Sequence, residues 1–86
     1  MAVIITKTRK IIANNIVYFR VNKGWSQEVL AEILGTSPAY VSEMENGKRN
    51  ISSDYIDHLS SVFGIEPHEL LENREPVNAR RIKRKR

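Results

Sequence analysis

No constellation of side chains in this sequence supports catalysis or metal binding. Cysteine is absent, which excludes disulfides, thiol chemistry and cysteine-based zinc sites. His58 and His68 stand ten positions apart without ligand-like spacing, and Ser60 and Ser61 lack a neighbouring base or a nucleophile-elbow sequence. We expect both histidines to be exposed helix residues, and the sequence predicts no enzyme activity, no metal site and no cofactor.

Polar side chains suited to binding are concentrated between residues 26 and 50. They offer carboxamides, hydroxyls, carboxylates and two cations: Gln27, Ser37, Ser42, Glu43, Glu45, Asn46, Lys48 and Arg49. Such groups act through hydrogen bonds and ion pairs, so what they contact depends on the elements that carry them.

Two short helices separated by a glycine turn are predicted for this stretch. Ser26 is suited to cap the first helix, and Gly35 to end it. Its apolar face would comprise Val29, Leu30, Ile33 and Leu34. Ser37 then caps a second helix with Pro38 at its first position, and Asn46-Gly47 ends it. This pattern predicts a helix-turn-helix, which places its second helix in the DNA major groove. An ordinary helical hairpin is the alternative that spacing leaves open.

Three further helices complete the expected body. Helical spacing predicts one over about residues 8–23. Another begins at Ser52 or Ser53 and ends at Gly64, and a short fifth opens at Glu66-Pro67. The expected fold is all-α with five helices in residues 8–72, a single domain.

Both termini differ from this body. Residues 1–7 show no clear periodicity and predict an N-terminal arm, with a short strand as the alternative, and their apolar run is too short for a signal peptide. Nothing approaches a transmembrane span, so a cytoplasmic, nucleoid-associated protein is expected. Residues 73–86 carry seven Lys/Arg and one acid, a net charge of +6, and predict a disordered basic tail. Residues 1–72 carry a net −2, so the basic character lies almost entirely in the tail.

The chain resembles the lambda Cro/CI-type helix-turn-helix family, also called the XRE family, over roughly residues 8–72. The resemblance is carried by residues 24–50, GWSQEVLAEILGTSPAYVSEMENGKRN, and by residues 64–71, GIEPHELL. It implies a lambda-repressor-like DNA-binding domain. Family members include phage repressors, restriction–modification controller proteins and antitoxins.

The resemblance implies roles for six individual residues. Gln27 matches the family glutamine at the start of the second helix, which contacts a DNA phosphate. The loop after the recognition helix also touches phosphates, which implies this role for Asn46, Lys48 and Arg49. Arg20 and Glu45 match a partly buried ion pair that joins the first helix to the third and orients it.

The base-reading face follows from helix geometry. If Val41, Met44 and Glu45 face inward, a rotation of about 100° per residue turns the opposite positions outward. The predicted base contacts are Ser37, Pro38, Ala39, Tyr40, Ser42 and Glu43. Pro38 and Ala39 could meet thymine methyls, and Glu43 could accept from cytosine N4 or be merely solvated. This face has no Arg, Lys or Gln, so DNA shape is expected to contribute to specificity.

These features predict a bacterial or phage-type transcriptional regulator that binds double-stranded DNA. The expected role is that of a repressor, which binds a near-palindromic operator as a homodimer. Residues 66–71, and the arm at residues 3–5, are the expected dimer contacts. The alternative is an antitoxin or adaptor whose main partner is another protein.

The basic tail resembles a polybasic DNA arm in residues 80–86. Such an arm would add sequence-independent affinity through counterion release. A solubilising tail and a docking segment for an acidic partner are the alternatives.

Overall fold

Four α-helices and one short 3₁₀ helix make up the folded part of the chain. The computed structural model describes residues 5–77. The α-helices are α1 (Lys7–Asn22), α2 (Gln27–Leu34), α3 (Pro38–Glu45) and α4 (Ser53–Phe63), and the 3₁₀ helix spans Pro67–Leu71. No strand occurs within the described range, which confirms the all-α class. None of these helices combines the length and apolar content needed to cross a membrane.

The fifth predicted helix is a 3₁₀ helix and not an α-helix, so the expected fold is wrong in its last element. The segment that opens at Pro67 closes as a five-residue 3₁₀ helix, and Glu72 after it has extended backbone. A segment this short is typical of 3₁₀ geometry, because the tighter turn satisfies its few amides without further residues.

Hydroxyl caps set the start of each α-helix. Thr6, Ser26, Ser37 and Ser52 each accept a hydrogen bond from the amide three residues later. Ser52, not Ser53, is therefore the cap of α4. Glycine ends α2 and α4, since Gly35 and Gly64 adopt φ angles of 77° and 71° that favour glycine.

One apolar core joins all five helices. Its buried members come from every element: Ile12, Ile16, Leu30, Leu34, Val41, Met44, Leu59, Phe63 and Leu70. Ala31, 1% exposed, lets α2 and α3 approach closely. Val29 and Ile33 were expected in the core but are 39% and 43% exposed. The eight-residue α2 buries only one stripe, through positions 30, 31 and 34, and turns positions 29 and 33 to its outer side.

Residues 72–77, here called the C-terminal strap, lie against α1. Asn15 is fully buried, and its Nδ2 donates to the carbonyl oxygens of Leu70 and Glu72 at 2.7 and 2.8 Å. Its Oδ1 accepts from Arg74 Nε at 2.7 Å. Both N–H groups and the oxygen of this amide are thus hydrogen-bonded. Each of these bonds holds the strap, or the residue just before it, against α1.

The strap is held at two further points. Asn14 Nδ2 donates to the Glu75 carbonyl at 3.0 Å, and its Oδ1 accepts from the Val77 amide at 2.6 Å. The Arg74 guanidinium lies 4.4 Å from the ring centre of Tyr18 and 4.9 Å from that of Phe19.

The predicted start of the disordered tail therefore needs correction. Residues 73–77 are bound to α1, because two adjacent asparagines offer them side-chain partners in place of water. The polybasic run at residues 80–86 and the first four residues of the predicted arm lie outside the described residues.

Replacing Asn15 tests how far the fold depends on this strap. Asn15→Ala leaves the buried Leu70 carbonyl, the partly buried Glu72 carbonyl and Arg74 without their partner, so the unfolding free energy should fall by roughly 2–4 kcal/mol. Asn14→Ala, on the more exposed side of α1, should lower it by about 1 kcal/mol. Urea denaturation measures both, and equal losses would contradict the buried amide's role.

Candidate nucleic-acid interface

The turn between α2 and α3 is closed by backbone hydrogen bonds. The amide of Gly35 donates to the Glu32 carbonyl at 3.2 Å, and that of Thr36 to the Ala31 carbonyl at 2.9 Å. Ser37 then caps α3 by accepting from the Tyr40 amide at 3.1 Å. These bonds end α2 and start α3 with only a short turn between them.

The inner and outer faces of α3 differ sharply. Val41 and Met44 are at most 1% exposed and pack against the core. The six residues predicted to contact bases form one continuous surface at the N-terminal end and outer side of the helix. Ser37, Pro38 and Ala39 are exposed, whereas Tyr40, Ser42 and Glu43 are half-buried. The structure brings these residues together, and their contact with bases stays a prediction.

Glu45 anchors α3 to α1 through an ion pair. Arg20 Nε lies 2.6 Å from Glu45 Oε2, and Arg20 Nη2 donates to Oε1 at 3.2 Å. The two side chains are only 11% and 6% exposed. Arg20 Nη1 also donates to the Trp25 carbonyl at 2.8 Å, which fixes the α1–α2 connection. This bidentate geometry orients both planes and resists rotation of α3.

Gln27 joins the same carboxylate from α2. Its Nε2 donates to Glu45 Oε1 at 2.9 Å. Sequence reasoning missed this bond, although a glutamine at the first position of α2 and a glutamate at the end of α3 are both long enough to meet. The carboxamide has a second N–H and an oxygen, and their contact with phosphate stays a prediction.

The loop after α3 carries the other predicted phosphate contacts. Asn46 Nδ2 donates to the Ser42 carbonyl at 2.8 Å and so caps the C-terminal end of α3. Lys48 is exposed, and its amide donates to the Glu43 carbonyl at 2.9 Å, which draws the loop back along the helix. The cations of this loop therefore flank α3 rather than extend away from it.

Arg49 contacts the outer side of α3 itself. Its Nε and Nη2 both lie 2.8 Å from Glu43 Oε1, and its Cζ lies 4.8 Å from the ring centre of Tyr40. The Tyr40 ring meets the Tyr55 ring edge-on, with 5.9 Å between centres. Burial raises the pKa of Tyr55 above its ordinary value of 10.0, and the neighbouring Tyr40 adds to this. Sequence reasoning assigned Glu43 and Arg49 to different partners and missed their pairing.

The comparison with known families decides what this helix pair is. A family profile described as Helix-turn-helix matches residues 16–70, more than half of the chain, and includes α2, its turn and α3. The chain belongs to the XRE-type helix-turn-helix family of regulators. The expected resemblance is confirmed.

Two similar proteins each match more than half of this chain. A hypothetical transcription factor of Neisseria meningitidis serogroup B is 41% identical over 63 residues, which are 73% of this chain and 59% of that protein. The control protein C.BamHI of Bacillus amyloliquefaciens is 40% identical over 47 residues, 55% of this chain and 58% of that protein. The chain thus spans less than two thirds of these relatives' length.

A solved structure matches over a larger share of its own length. The restriction–modification controller protein C.AhdI of Aeromonas hydrophila has a TM-score of 0.66 and 37% sequence identity. The match covers 72% of this chain and 90% of that protein. This chain therefore resembles that controller protein over most of its fold, and not only over the helix-turn-helix.

The unfolding free energy of this protein should fall more when the buried Arg20–Glu45 ion pair is broken than when an exposed ion pair is broken. Arg20→Met leaves the Glu45 carboxylate buried without its cation, at a cost of about 3–5 kcal/mol. Arg49→Met breaks the exposed pair with Glu43 and should cost about 1 kcal/mol or less.

Chemical denaturation of both variants measures this difference. The double variant Arg20→Met/Glu45→Met removes the stranded charge and should recover most of the loss. A double variant as unstable as Arg20→Met alone would mean that packing, not charge, sets the cost.

Proposed function

We propose that this protein is a sequence-specific DNA-binding transcriptional regulator that inserts α3 into the major groove of double-stranded DNA. The observation that carries the proposal is the fixing of α3 by the Glu45 carboxylate, which receives donors from both α1 and α2. A helix held this way presents its exposed N-terminal end, Ser37 to Ala39, at a constant angle. That end is the part of a recognition helix that reaches base edges.

The outer surface of α3 then supplies the base contacts. Pro38 and Ala39 are exposed and apolar, which suits contact with thymine methyl groups. Ser37 and Ser42 offer hydroxyls that bond several base edges. Tyr40 and Glu43 lie beside them on the same helix.

Phosphate contacts flank this surface on both sides. Gln27 stands at the N-terminus of α2, where free backbone amides and the helix dipole favour an anion. Asn46, Lys48 and Arg49 lie in the loop that follows α3. Gln27, Asn46 and Lys48 would hold the DNA backbone on either side of the groove that α3 enters. Arg49 differs from them in that it is also paired with Glu43 on α3.

We further propose that the protein acts as a homodimer on a near-palindromic operator and represses by occupying it. The support is an exposed apolar surface at the 3₁₀ helix, where Leu71 is 47% exposed. Leu71 borders a shallow cleft with Ile12, Ile51 and Ile56. A second copy that covers this surface would bring two recognition helices into one assembly, and two adjacent major grooves on one face of the duplex require them to lie about 34 Å apart. Such a regulator would act on the nucleoid in the cytoplasm.

In vitro selection from a randomised duplex library tests the proposed function. The wild-type chain should enrich one motif with two inverted half-sites, and footprinting should place their centres about one helical turn apart. Specific binding should exceed non-specific binding by at least about 10³-fold at physiological salt. Pro38→Glu/Ala39→Glu, which places charge on the exposed end of α3, is the matched control and should enrich no motif. A wild-type chain that enriches no sequence would refute the proposal.

Truncation after Val77 tests the proposed role of the tail as a DNA arm. This truncation removes six cations and keeps every hydrogen bond of the C-terminal strap. Affinity for non-specific duplex should fall and its salt dependence should weaken, by about 0.9 in log–log slope for each lost phosphate contact. The selected motif should not change.

A second variant separates tail charge from tail length. A chain of unchanged length with glutamine at all six cationic positions should show the same lower non-specific affinity and weaker salt dependence as the truncated chain. Unchanged affinity of both variants at low salt would show that the tail does not bind DNA.

A further inference from the structure

Arg49 is held against the recognition helix in a defined orientation. Two of its nitrogens, Nε and Nη2, both bond to a single carboxylate oxygen, Glu43 Oε1, at 2.8 Å. Its guanidinium carbon lies 4.8 Å from the Tyr40 ring centre. Because Tyr40 and Glu43 are three residues apart on α3, they form neighbouring positions on one helix face. The arginine therefore lies on the surface that α3 presents.

The contact with Glu43 uses only one edge of the guanidinium. Nε and Nη2 form the side edge of this planar group, while Nη1 and the outer hydrogen of Nη2 form its end edge. Among residues 5–77, the structure gives the end edge no hydrogen-bond partner. The side chain is 48% exposed, and its bonds to Glu43 occupy only the side edge.

The Tyr40 ring that Arg49 contacts is itself held by contacts with other helices. Tyr40 meets Tyr55 of α4 edge-on, and Tyr55 meets His58 with 5.5 Å between ring centres. His58 Nε2 lies 3.2 Å from the Leu34 carbonyl oxygen at the end of α2. The position of Arg49 is thus supported by contacts that extend to α4 and α2, which lowers the entropy lost when it binds.

We propose that Arg49 reads a guanine in each half-site of the operator, and that Glu43 and Tyr40 position its guanidinium for this contact. The proposal rests on the proposed insertion of α3 into the major groove. The end edge of a guanidinium donates two parallel hydrogen bonds to guanine O6 and N7, the commonest specific contact of arginine with DNA. No other Arg, Lys or Gln lies on the outer face of α3.

The surroundings of Arg49 favour a base over a phosphate as its partner. The bonded Glu43 carboxylate offsets the charge of Arg49 and so weakens its attraction to a phosphate, whereas bidentate bonds to a base depend on the orientation of the guanidinium, which Glu43 fixes. A phosphate contact needs charge and little orientation. The exposed Lys48, next to Arg49 in the sequence, already supplies that charge. Glu43 in turn has its Oε1 occupied by Arg49, so its function is positioning rather than acceptance from cytosine N4.

In vitro selection with three variants tests this assignment, with the wild-type motif as reference. Arg49→Lys keeps the charge but cannot form the bidentate contact. It should lose preference for one guanine per half-site by about 5- to 150-fold and leave the salt dependence unchanged. Glu43→Gln should weaken the preference at that same guanine while raising non-specific affinity, because it removes a negative charge. Lys48→Ala is the matched control, and should lower affinity for all duplexes alike with the motif unchanged.

Several outcomes would overturn the assignment. If Arg49→Lys retains the full motif, Arg49 reads no base. If Glu43→Gln changes preference at a cytosine that Arg49→Lys leaves intact, Glu43 reads that base itself. Both substituted side chains are about half exposed, and thermal unfolding should confirm that the variants fold. A wild-type chain that selects no sequence refutes the proposed function itself, whereas a wild-type motif that lacks any guanine refutes only the role of Arg49.

Discussion

The carboxylate of Glu45 is the point at which three helices are held together. It stands at the end of α3, 6% exposed, and receives Arg20 from α1 and Gln27 from α2. A buried carboxylate is unfavourable unless its lone pairs are met by donors, and here the donors come from two different helices. Rotation of α3 in either direction would break these bonds and leave the charge exposed to an apolar core. We infer that this requirement, more than the strength of the pair, fixes which side of α3 faces outward.

Under the proposed function, specific and non-specific attraction to DNA would be separated along the chain. Residues 1–72 carry a net −2, whereas residues 73–86 carry +6. The outer side of α3 contains a paired Glu43 and Arg49, which together add no net charge. A recognition surface of this kind gains little from general electrostatic attraction, so its contacts discriminate between sequences rather than bind any duplex. The tail is then suited to supply the affinity that the body lacks.

The sequence alone predicted the elements whose signals are local. Ser26, Ser37 and the glycine at position 35 set helix ends through their own backbone and side-chain chemistry, and the structure has the ends where this chemistry requires. The fifth helix was mispredicted because the same residues, opened by Pro67, suit a 3₁₀ turn as well as a short α-helix. Val29 and Ile33 were misplaced because spacing defines an apolar stripe but not its width.

Contacts between distant segments could not be predicted in this way. The C-terminal strap is bound by Asn14 and Asn15, over 55 residues away along the chain. A signal was present, since two asparagines interrupt an apolar helix and a buried one requires partners, but nothing in the sequence names those partners. The pairing of Glu43 with Arg49 depends on how the loop after α3 folds back, which side-chain type does not determine. The residues proposed to contact bases are thus predictable as a surface and not as individual contacts.

A crystal structure of the full chain bound to its selected duplex tests the central claim most directly. The account predicts that the N-terminal end of α3 lies in the major groove while Glu45 keeps its bonds to Arg20 and Gln27. A complex in which α3 lies outside the groove, or in which α3 has rotated and the Glu45 bonds are broken, would contradict it.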